Sequence, residues 1–343
     1  MHDFFIDRII RLSSTDSLID LLKEKSDTGG GSIRNINTID VKGGNAVNVA
    51  YCLAKLGAKV NLFTITNNIG SSILKSTFHQ YRKTVNLFLK NGQHGCTTSL
   101  EFYNKKNNVS DHSFVNVMFS DIGDIANFGP ELLKSKKDLT TIQNSSCIMI
   151  VNWASNLKGT ELVTEIFQKS NHIFHYLDPA DIETRKDEFL QLLNNIYKRI
   201  DVLSLNENEF NSIMSILNKN LILQSRYTDD DIKNSLSVLS KHIKIKIDLH
   251  TRIGSAWSNG ITVEFVSSIN DDRKIQTTTG AGDCWDAANV LGYLAGLGNY
   301  ERLFFANLCA SLYIHDEFLE PPSINSIQEF IKHNNTKNLF KNF

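Results

Sequence analysis

The stretch from residue 147 to residue 249 alternates short apolar runs with amphipathic segments, and no other feature of the chain limits the fold as much. Four apolar runs have the length of buried strands, at 147–151, 174–177, 202–205 and 243–249. Three segments with helical spacing separate them, at 159–169, 186–199 and 229–242. Strands joined by helices in this way form right-handed crossovers within one parallel sheet. The pattern predicts an α/β fold with a mostly parallel central sheet covered by helices on both faces.

Polar residues stand where these predicted strands end. Asp178 closes the second apolar run, and Asn206 closes the third. Glu209 follows Asn206 by one helical turn, and His250 follows the fourth run. Open α/β sheets bind their ligands beyond the carboxyl ends of the strands. We therefore expect a binding site at this edge of the sheet.

The first 65 residues predict a strand, a loop, a helix and a second strand. The strand at 4–10 is interrupted by Asp7, and the polar segment 13–32 ends in three glycines. The three glycines are typical of a flexible loop; a phosphate cradle is the alternative, although no Lys-Ser/Thr pair follows them. Residues 43–65 have helical spacing up to Gly57, which suits a left-handed helix end, and then an apolar strand.

Residues 85–119 differ from the rest of the chain. Short alternating apolar runs are separated by an Asn-Gly pair and by a turn rich in Lys and Asn. Such a pattern is typical of antiparallel hairpins that are buried on one side only. Within an α/β chain it predicts a small β-sheet lid that projects from the main domain.

The segment Thr278 to Asp283, T-T-G-A-G-D, precedes an apolar helix. Glycines let the backbone approach a ligand, and the first N–H groups of a helix have no partner within it. Together with the helix dipole these groups form a site for phosphate or for developing negative charge. Asp283 in the first turn could accept the proton of a substrate hydroxyl. The plain alternative is a helix start stabilised by an acidic residue.

Two segments together resemble the ribokinase-like carbohydrate kinases, also called the PfkB family. T-T-G-A-G-D is similar to the C-terminal signature of that family, and G-G-N-A-V-N-V-A at residues 43–50 is similar to its N-terminal signature. Their order, their separation and the interposed hairpin region agree with the family over nearly the whole chain. The resemblance implies a ribokinase-like fold in which Asp283 is the catalytic base and Gly280, Ala281 and Gly282 form the anion hole.

The resemblance also implies substrate-binding residues in the first half of the chain. Asp7 resembles the acidic residue that holds substrate hydroxyls. Gly43, Gly44 and Asn48 are similar to the substrate-contacting part of the first signature, although Asn48 could equally be a polar residue on a helix surface. Asn152, after the strand at 147–151, is expected to face the substrate.

The nucleotide and metal sites are implied by the second half. Asn206 and Glu209 resemble an N-x-x-E element that orders phosphate and Mg²⁺, with Glu209 acting through water; the alternative is a helix cap. The remaining nucleotide-binding residues that the resemblance implies are Thr251, Gly254, Thr278 and Asn307. Where the family commonly has Asp before T-T-G-A-G-D, this chain has Thr277, which puts activation by a monovalent cation in doubt.

Composition excludes several classes of function. The chain of 343 residues has 36 Lys and Arg against 37 Asp and Glu, a formal net charge of −1. Such a chain has no field that would gather nucleic acid or an anionic membrane. Five cysteines without a C-x-x-C pair suit a reducing cytosol, and we expect no signal peptide, because Asp3 and Asp7 stand where one would need an apolar run. We expect a cytoplasmic protein with no nucleic-acid or membrane partner.

These observations lead to one expected function and one rival. The expected function is a kinase that uses Mg²⁺ and transfers a phosphoryl group from ATP or ADP to a hydroxyl of a sugar, a nucleoside or a sugar phosphate. The rival is a catalytically silent sugar- or nucleotide-binding regulator on the same fold. The protein partner that we consider is a second copy of the chain, in a homodimer formed through the lid.

Overall fold

The computed structural model of the chain describes residues 1–12, 15–105, 112–269, 271 and 273–333. The strands are β1 (Phe5–Leu12), β2 (Asn37–Gly43), β3 (Val60–Thr66), β4 (Val85–Asn91), β5 (Gly95–Lys105), β6 (His112–Asp121), β7 (Cys147–Val151), β8 (Phe174–Asp178), β9 (Val202–Asn206), β10 (Lys246–Thr251), β11 (Gly254–Ser258) and β12 (Val263–Ser267). The helices are α1 (Thr15–Asp27), α2 (Asn45–Lys55), α3 (Asn68–Thr77), α4 (Lys136–Gln143), α5 (Gly159–Lys169), α6 (Lys186–Ile196), α7 (Glu207–Leu217), α8 (Asp229–Ile243), α9 (Ala281–Leu294), α10 (Asn299–Ile314) and α11 (Ile324–His333). In this part of the chain, none of the helices is both long and apolar enough to cross a bilayer.

The main sheet has six strands in the order β12-β11-β10-β9-β8-β7. Strands β7 to β10 run parallel, and β11 and β12 add an antiparallel edge. Successive side chains of a strand point to opposite faces, and both faces are covered. Leu177 and Leu203 pack in the core that includes α5 to α8, whereas Tyr176 and Val202 pack against Val290 of α9. The mostly parallel sheet between two helical layers, predicted from the alternation, is confirmed.

The first residues of the chain connect a second sheet, the parallel pair β3-β4, to the main sheet. The Met1 amino group donates to the Met149 carbonyl at 2.6 Å, and the Val151 amide donates to the Met1 carbonyl at 3.4 Å. On the other side, the His2 amide donates to the Phe63 carbonyl at 3.1 Å. Residues 1 and 2 therefore lie between β7 and β3.

A third sheet of four strands, in the order β2-β1-β5-β6, projects from the domain. We call it the lid sheet. The segment 85–119 was expected to form the lid by itself, and that boundary needs correction. Its first strand, β4, pairs with β3, and Phe88 stacks on Phe63 with ring centroids 4.3 Å apart. The lid sheet instead includes β1 and β2, because the alternating pattern of a half-buried strand does not reveal which partner it pairs with.

The sequence did not indicate the helix that precedes the three glycines. Helix α1 spans Thr15–Asp27, in a segment where Leu18, Leu21 and Leu22 recur at helical spacing among polar residues. The polar composition of this segment obscures the helix, but polar residues are normal on the outer face of a surface helix. The glycines at 29–31 form an exposed turn after α1.

Candidate active site

The start of helix α9 shows why the signature needs its glycines. Gly280 precedes the helix with φ +83°, a left-handed conformation that suits glycine. A Cβ at this position would lie 2.7 Å from the Tyr313 hydroxyl, which itself donates to the Thr279 carbonyl at 2.9 Å. The backbone therefore turns tightly here: the Ala281 amide donates to the Thr278 carbonyl at 3.3 Å, and Gly282 and Asp283 line a cavity at the start of α9.

Asp283 lies in the first turn of α9 with only 7% of its surface exposed. The Asn48 side-chain amide on α2 donates to its Oδ2 atom at 2.8 Å, which links the two signatures. Burial raises the pKa of Asp283 well above its ordinary value, and the nearby Asp178 carboxyl raises it further, although the bond from Asn48 acts in the opposite direction. Asp283 is consequently a stronger proton acceptor than an exposed aspartate.

Two cavities lie beside the Asp283–Asn48 pair. The larger, of about 730 Å³, is lined by Asp283 and by residues at the strand ends that include Asp178, Asn206, Glu209 and His250. The smaller, of about 240 Å³, lies under the lid sheet and is lined by residues that include Asp7, Asn48, Thr97 and Thr277. Asp283 lines the larger cavity, and Asn48, which is bonded to it, lines the smaller one.

In the larger cavity, Asn206 and Glu209 form a reciprocal cap at the start of α7. The Asn206 side chain accepts from the Glu209 amide at 3.0 Å, and the Glu209 carboxyl accepts from the Asn206 amide at 2.8 Å. The element caps the helix and its side chains also line the larger cavity, and its expected role toward phosphate and Mg²⁺ stays a prediction. Burial and the neighbouring Asp178 carboxyl raise the pKa of Glu209 well above its ordinary value. Carboxyl groups held together in this way favour a nearby positive charge.

In the smaller cavity, Asp7 projects from β1 beside Gly43. A Cβ on Gly43 would lie 1.9 Å from the Asp7 Oδ2 atom, so only glycine leaves room for this carboxyl group. Burial raises the pKa of Asp7 to about 6, partly offset by a hydrogen bond from Thr97. Gly44 lies at the start of α2, next to the backbone of Phe4.

Asp3 supports the start of α2, a role that the sequence did not suggest. Its carboxylate accepts from the amides of Asn45 and Ala46, at 2.9 and 2.7 Å. The Asn152 side chain donates to the same carboxylate at 2.8 Å, so its amide is directed at Asp3. Asn152, expected to face the substrate, does not line either cavity. Asp3 and Asn45 are 42 positions apart in the chain, so no local sequence pattern could have predicted their hydrogen bond.

The four other residues expected at the nucleotide do not line either cavity; they are Thr251, Gly254, Thr278 and Asn307. Thr251 donates to the Gly254 carbonyl at 2.8 Å within the turn between β10 and β11. The Asn307 amide oxygen accepts from the Trp285 indole at 2.8 Å, and its nitrogen donates to the carbonyls of β12. His250, at the end of β10, lies beside Gly282 and lines the larger cavity instead.

Comparison with solved structures shows the same fold throughout. Adenosine kinase from Sinorhizobium meliloti is 18% identical, with a TM-score of 0.70 and coverage of 97% of each chain. Ribokinase from Arabidopsis thaliana, solved with ribose and ATP, is 19% identical, with a TM-score of 0.70 and coverage of 96% of this chain and 97% of the other. Ribokinase from Thermotoga maritima is 14% identical, with a TM-score of 0.68 and coverage of 96% and 97%. These likenesses confirm the ribokinase-like fold.

A family model supplies the stronger assignment. The model of the pfkB family carbohydrate kinases matches residues 11–319, which is most of the chain. No curated protein matches the sequence. The family model, the two linked signatures and the fold agree, and the chain therefore belongs to the pfkB family of carbohydrate kinases, which are phosphotransferases with an alcohol group as acceptor.

Proposed function

We propose that the protein transfers a phosphoryl group from ATP or ADP to a hydroxyl of a sugar, a nucleoside or a sugar phosphate, with Asp283 as the general base. One observation carries the proposal: Asp283 lies at the start of α9 and lines the larger cavity, and Asn48, which lines the smaller cavity, donates a hydrogen bond to it at 2.8 Å. The nucleotide occupies the larger cavity and the acceptor occupies the smaller.

In the proposed reaction Asp283 removes the proton from the acceptor hydroxyl as its oxygen forms a bond to the terminal phosphorus. The bond between that phosphorus and the bridging oxygen of the nucleotide breaks, and the nucleotide leaves with the electron pair. The N–H groups at the start of α9 stabilise the charge on the transferred phosphoryl oxygens. A raised pKa suits the base, because proton transfer is most efficient when that pKa is close to the working pH.

Magnesium fits the carboxyl groups of the larger cavity. No cluster of three His, Cys, Asp or Glu side chains within the described ranges could hold a metal by itself. Mg²⁺ commonly keeps several waters and binds substrate phosphates with only one or two carboxylates, which is the arrangement that Glu209 and Asp178 offer. When bound, the ion would neutralise charge on the phosphates.

The catalytic assignment is tested by Asp283→Asn, which keeps the shape of the side chain but cannot take a proton. We expect kcat to fall roughly 10²- to 10⁴-fold, the usual scale for a positioned acid or base. Nucleotide affinity should change little, because backbone groups hold the phosphates. Turnover and nucleotide binding should be measured on the same folded variant.

Asp138→Asn is the matched control, since Asp138 is also a buried aspartate in the first turn of a helix, α4. The Asp138→Asn variant should be less stable, because it loses the ion pair with Lys90, but it should keep full turnover. If the Asp283 variant turns over at the parent rate, Asp283 is not the base. If the parent protein binds nucleotide and sugar without transfer, it is the silent regulator. The lid homodimer and the cytoplasmic location stay predictions.

A further inference from the structure

The register of the lid sheet places a second carboxyl group on the face that covers the smaller cavity. Asp7 pairs with Thr97, and Arg11 pairs with Glu101. Alternate residues of a strand share a face, so Asp7, Thr97 and Glu101 face the same way, and all three line the smaller cavity. Glu101 lies four residues beyond Thr97, roughly 13 Å further along the strand. The two carboxyl groups therefore mark opposite ends of this wall.

Glu101 is buried without a complete set of partners. Only 2% of its side chain is exposed, and its Oε2 atom accepts from the Arg11 guanidinium at 3.4 Å. Its Oε1 atom has no hydrogen-bond partner among the described residues. Burial also raises the pKa of this carboxyl group. A buried acceptor that lacks a donor is unfavourable, and a ligand with an N–H or O–H group at this end would satisfy it.

The smaller cavity is lined by both polar and apolar side chains, with Lys42 and Ser99 among the polar ones. Ile9 and Val41 line the cavity from the lid sheet, and Met118 lines it from β6. Phe318, in the segment after α10, lines the opposite side and is 83% exposed. Met118 is itself 51% exposed. An exposed aromatic ring and an exposed thioether at the mouth of a cavity suit a flat, heteroaromatic group better than a sugar ring.

We propose, on the basis of the proposed kinase function, that the acceptor is a nucleoside and that Glu101 selects it. The ribose lies at Asp7 and Asn48 with a hydroxyl at Asp283. The base lies between Met118 and Phe318 and donates an N–H hydrogen bond to Glu101. A monosaccharide held at Asp283 leaves the Glu101 Oε1 atom without a donor.

The test measures acceptor binding directly by calorimetry, with excess ADP present to occupy the larger cavity. Adenosine, cytidine, guanosine and inosine are compared with ribose, fructose and ribose 5-phosphate. We expect the parent protein to bind at least one nucleoside more tightly than any sugar or sugar phosphate. Glu101→Met should weaken that binding roughly 10- to 100-fold, the scale of a hydrogen bond to a charged group. Glu101→Gln, which keeps an acceptor, should restore part of it.

Two further comparisons separate recognition from folding. The N-methylated analogue of the bound nucleoside, which lacks the donor, should bind weakly and equally to the parent and to Glu101→Met. Asp40→Asn is the matched control variant, because Asp40 pairs with Arg8 on β1 at an exposed position of the same sheet. It should leave the nucleoside Kd unchanged.

The inference and the proposed function fail in different ways. If a sugar binds as tightly as every nucleoside, or if Glu101→Met leaves nucleoside binding unchanged, the inference is wrong. A protein that phosphorylates sugars and ignores nucleosides also overturns it, while the kinase function stands. Glu101-dependent nucleoside binding without phosphoryl transfer from ATP or ADP would leave this inference standing and overturn the proposed reaction.

Discussion

The two cavities beside the Asp283–Asn48 pair are built in different ways. The larger takes key groups from short local motifs, the cap Asn206–Glu209 and the helix start Gly280–Asp283. The smaller is assembled from β1, β2, β5 and β6 of the lid sheet, from α2, and from segments around residues 277 and 318. Local motifs recur across a family, because they serve the part of the reaction that members share. A wall made of many separate segments can change one residue at a time, and specificity is expected there.

Asp7→Asn should show the largest of the effects that distinguish the two cavities. Loss of a charged hydrogen-bond acceptor is expected to raise the acceptor KM roughly 10- to 100-fold and to leave nucleotide affinity unchanged. Steady-state kinetics with each substrate varied in turn provide the measurement. An equal loss of affinity for nucleotide would show that Asp7 does not belong to the acceptor side.

The same variant should be more stable than the parent at high pH. The folded state raises the Asp7 pKa from 3.8 to about 6, so the ionised form is unfavourable in the fold. A raised pKa contributes stability that is present below the unfolded value and is lost as pH rises through the folded value. Removing the charge should therefore raise the free energy of unfolding by up to about 3 kcal/mol near pH 8 and by almost nothing near pH 3.5. Denaturation of both proteins at both pH values tests the sign of this difference in stability.

Glu209→Gln tests the larger cavity, and its effect should be smaller than that of Asp7→Asn on the acceptor KM. The variant keeps the length of the side chain and one acceptor for the cap, but it loses the negative charge. We expect the Mg²⁺ concentration needed for nucleotide binding to rise about tenfold, with an unchanged acceptor KM. Asp231→Asn alters an equivalent cap with Thr228 on α8 and should leave the Mg²⁺ requirement as it is. If the Mg²⁺ requirement rises in both variants, the effect comes from the loss of helix capping.

The smallest effect concerns monovalent cations. Thr277 lies at the smaller cavity where the family commonly has aspartate, and its hydroxyl accepts from the Thr279 amide at 3.1 Å. A neutral hydroxyl attracts a cation far less than a carboxylate, so K⁺ should change the rate by less than about twofold at fixed ionic strength. Strong activation would mean that other groups build a cation site, and the sharp division between the cavities would need revision.

Several features were accessible from sequence because they depend on neighbours in the chain. The strand and helix alternation after residue 147, the tight turn at Gly280 and the acidic first turn of α9 are properties of continuous segments. Helix α1 was missed because polar residues dominate its composition, although its leucines are spaced as in a helix. Asn152 was expected at the substrate from its position after β7, but the contact with Asp3 depends on how residues 1–3 lie between β7 and β3.

The sequence by itself determined the fold class and the position of Asp283 in the first turn of a helix, since backbone geometry, capping and helix dipoles act within a few residues. Only the tertiary structure decided the shape of the acceptor side. The register of β1 against β5 places Glu101 on the same wall as Asp7, and the segment after α10 brings Phe318 opposite that wall. A shift of one residue in that register would turn Glu101 to the other face of the sheet. Contacts of this kind join residues far apart in the chain. Their free energy depends on how the whole molecule packs, and this cannot be read from any short segment.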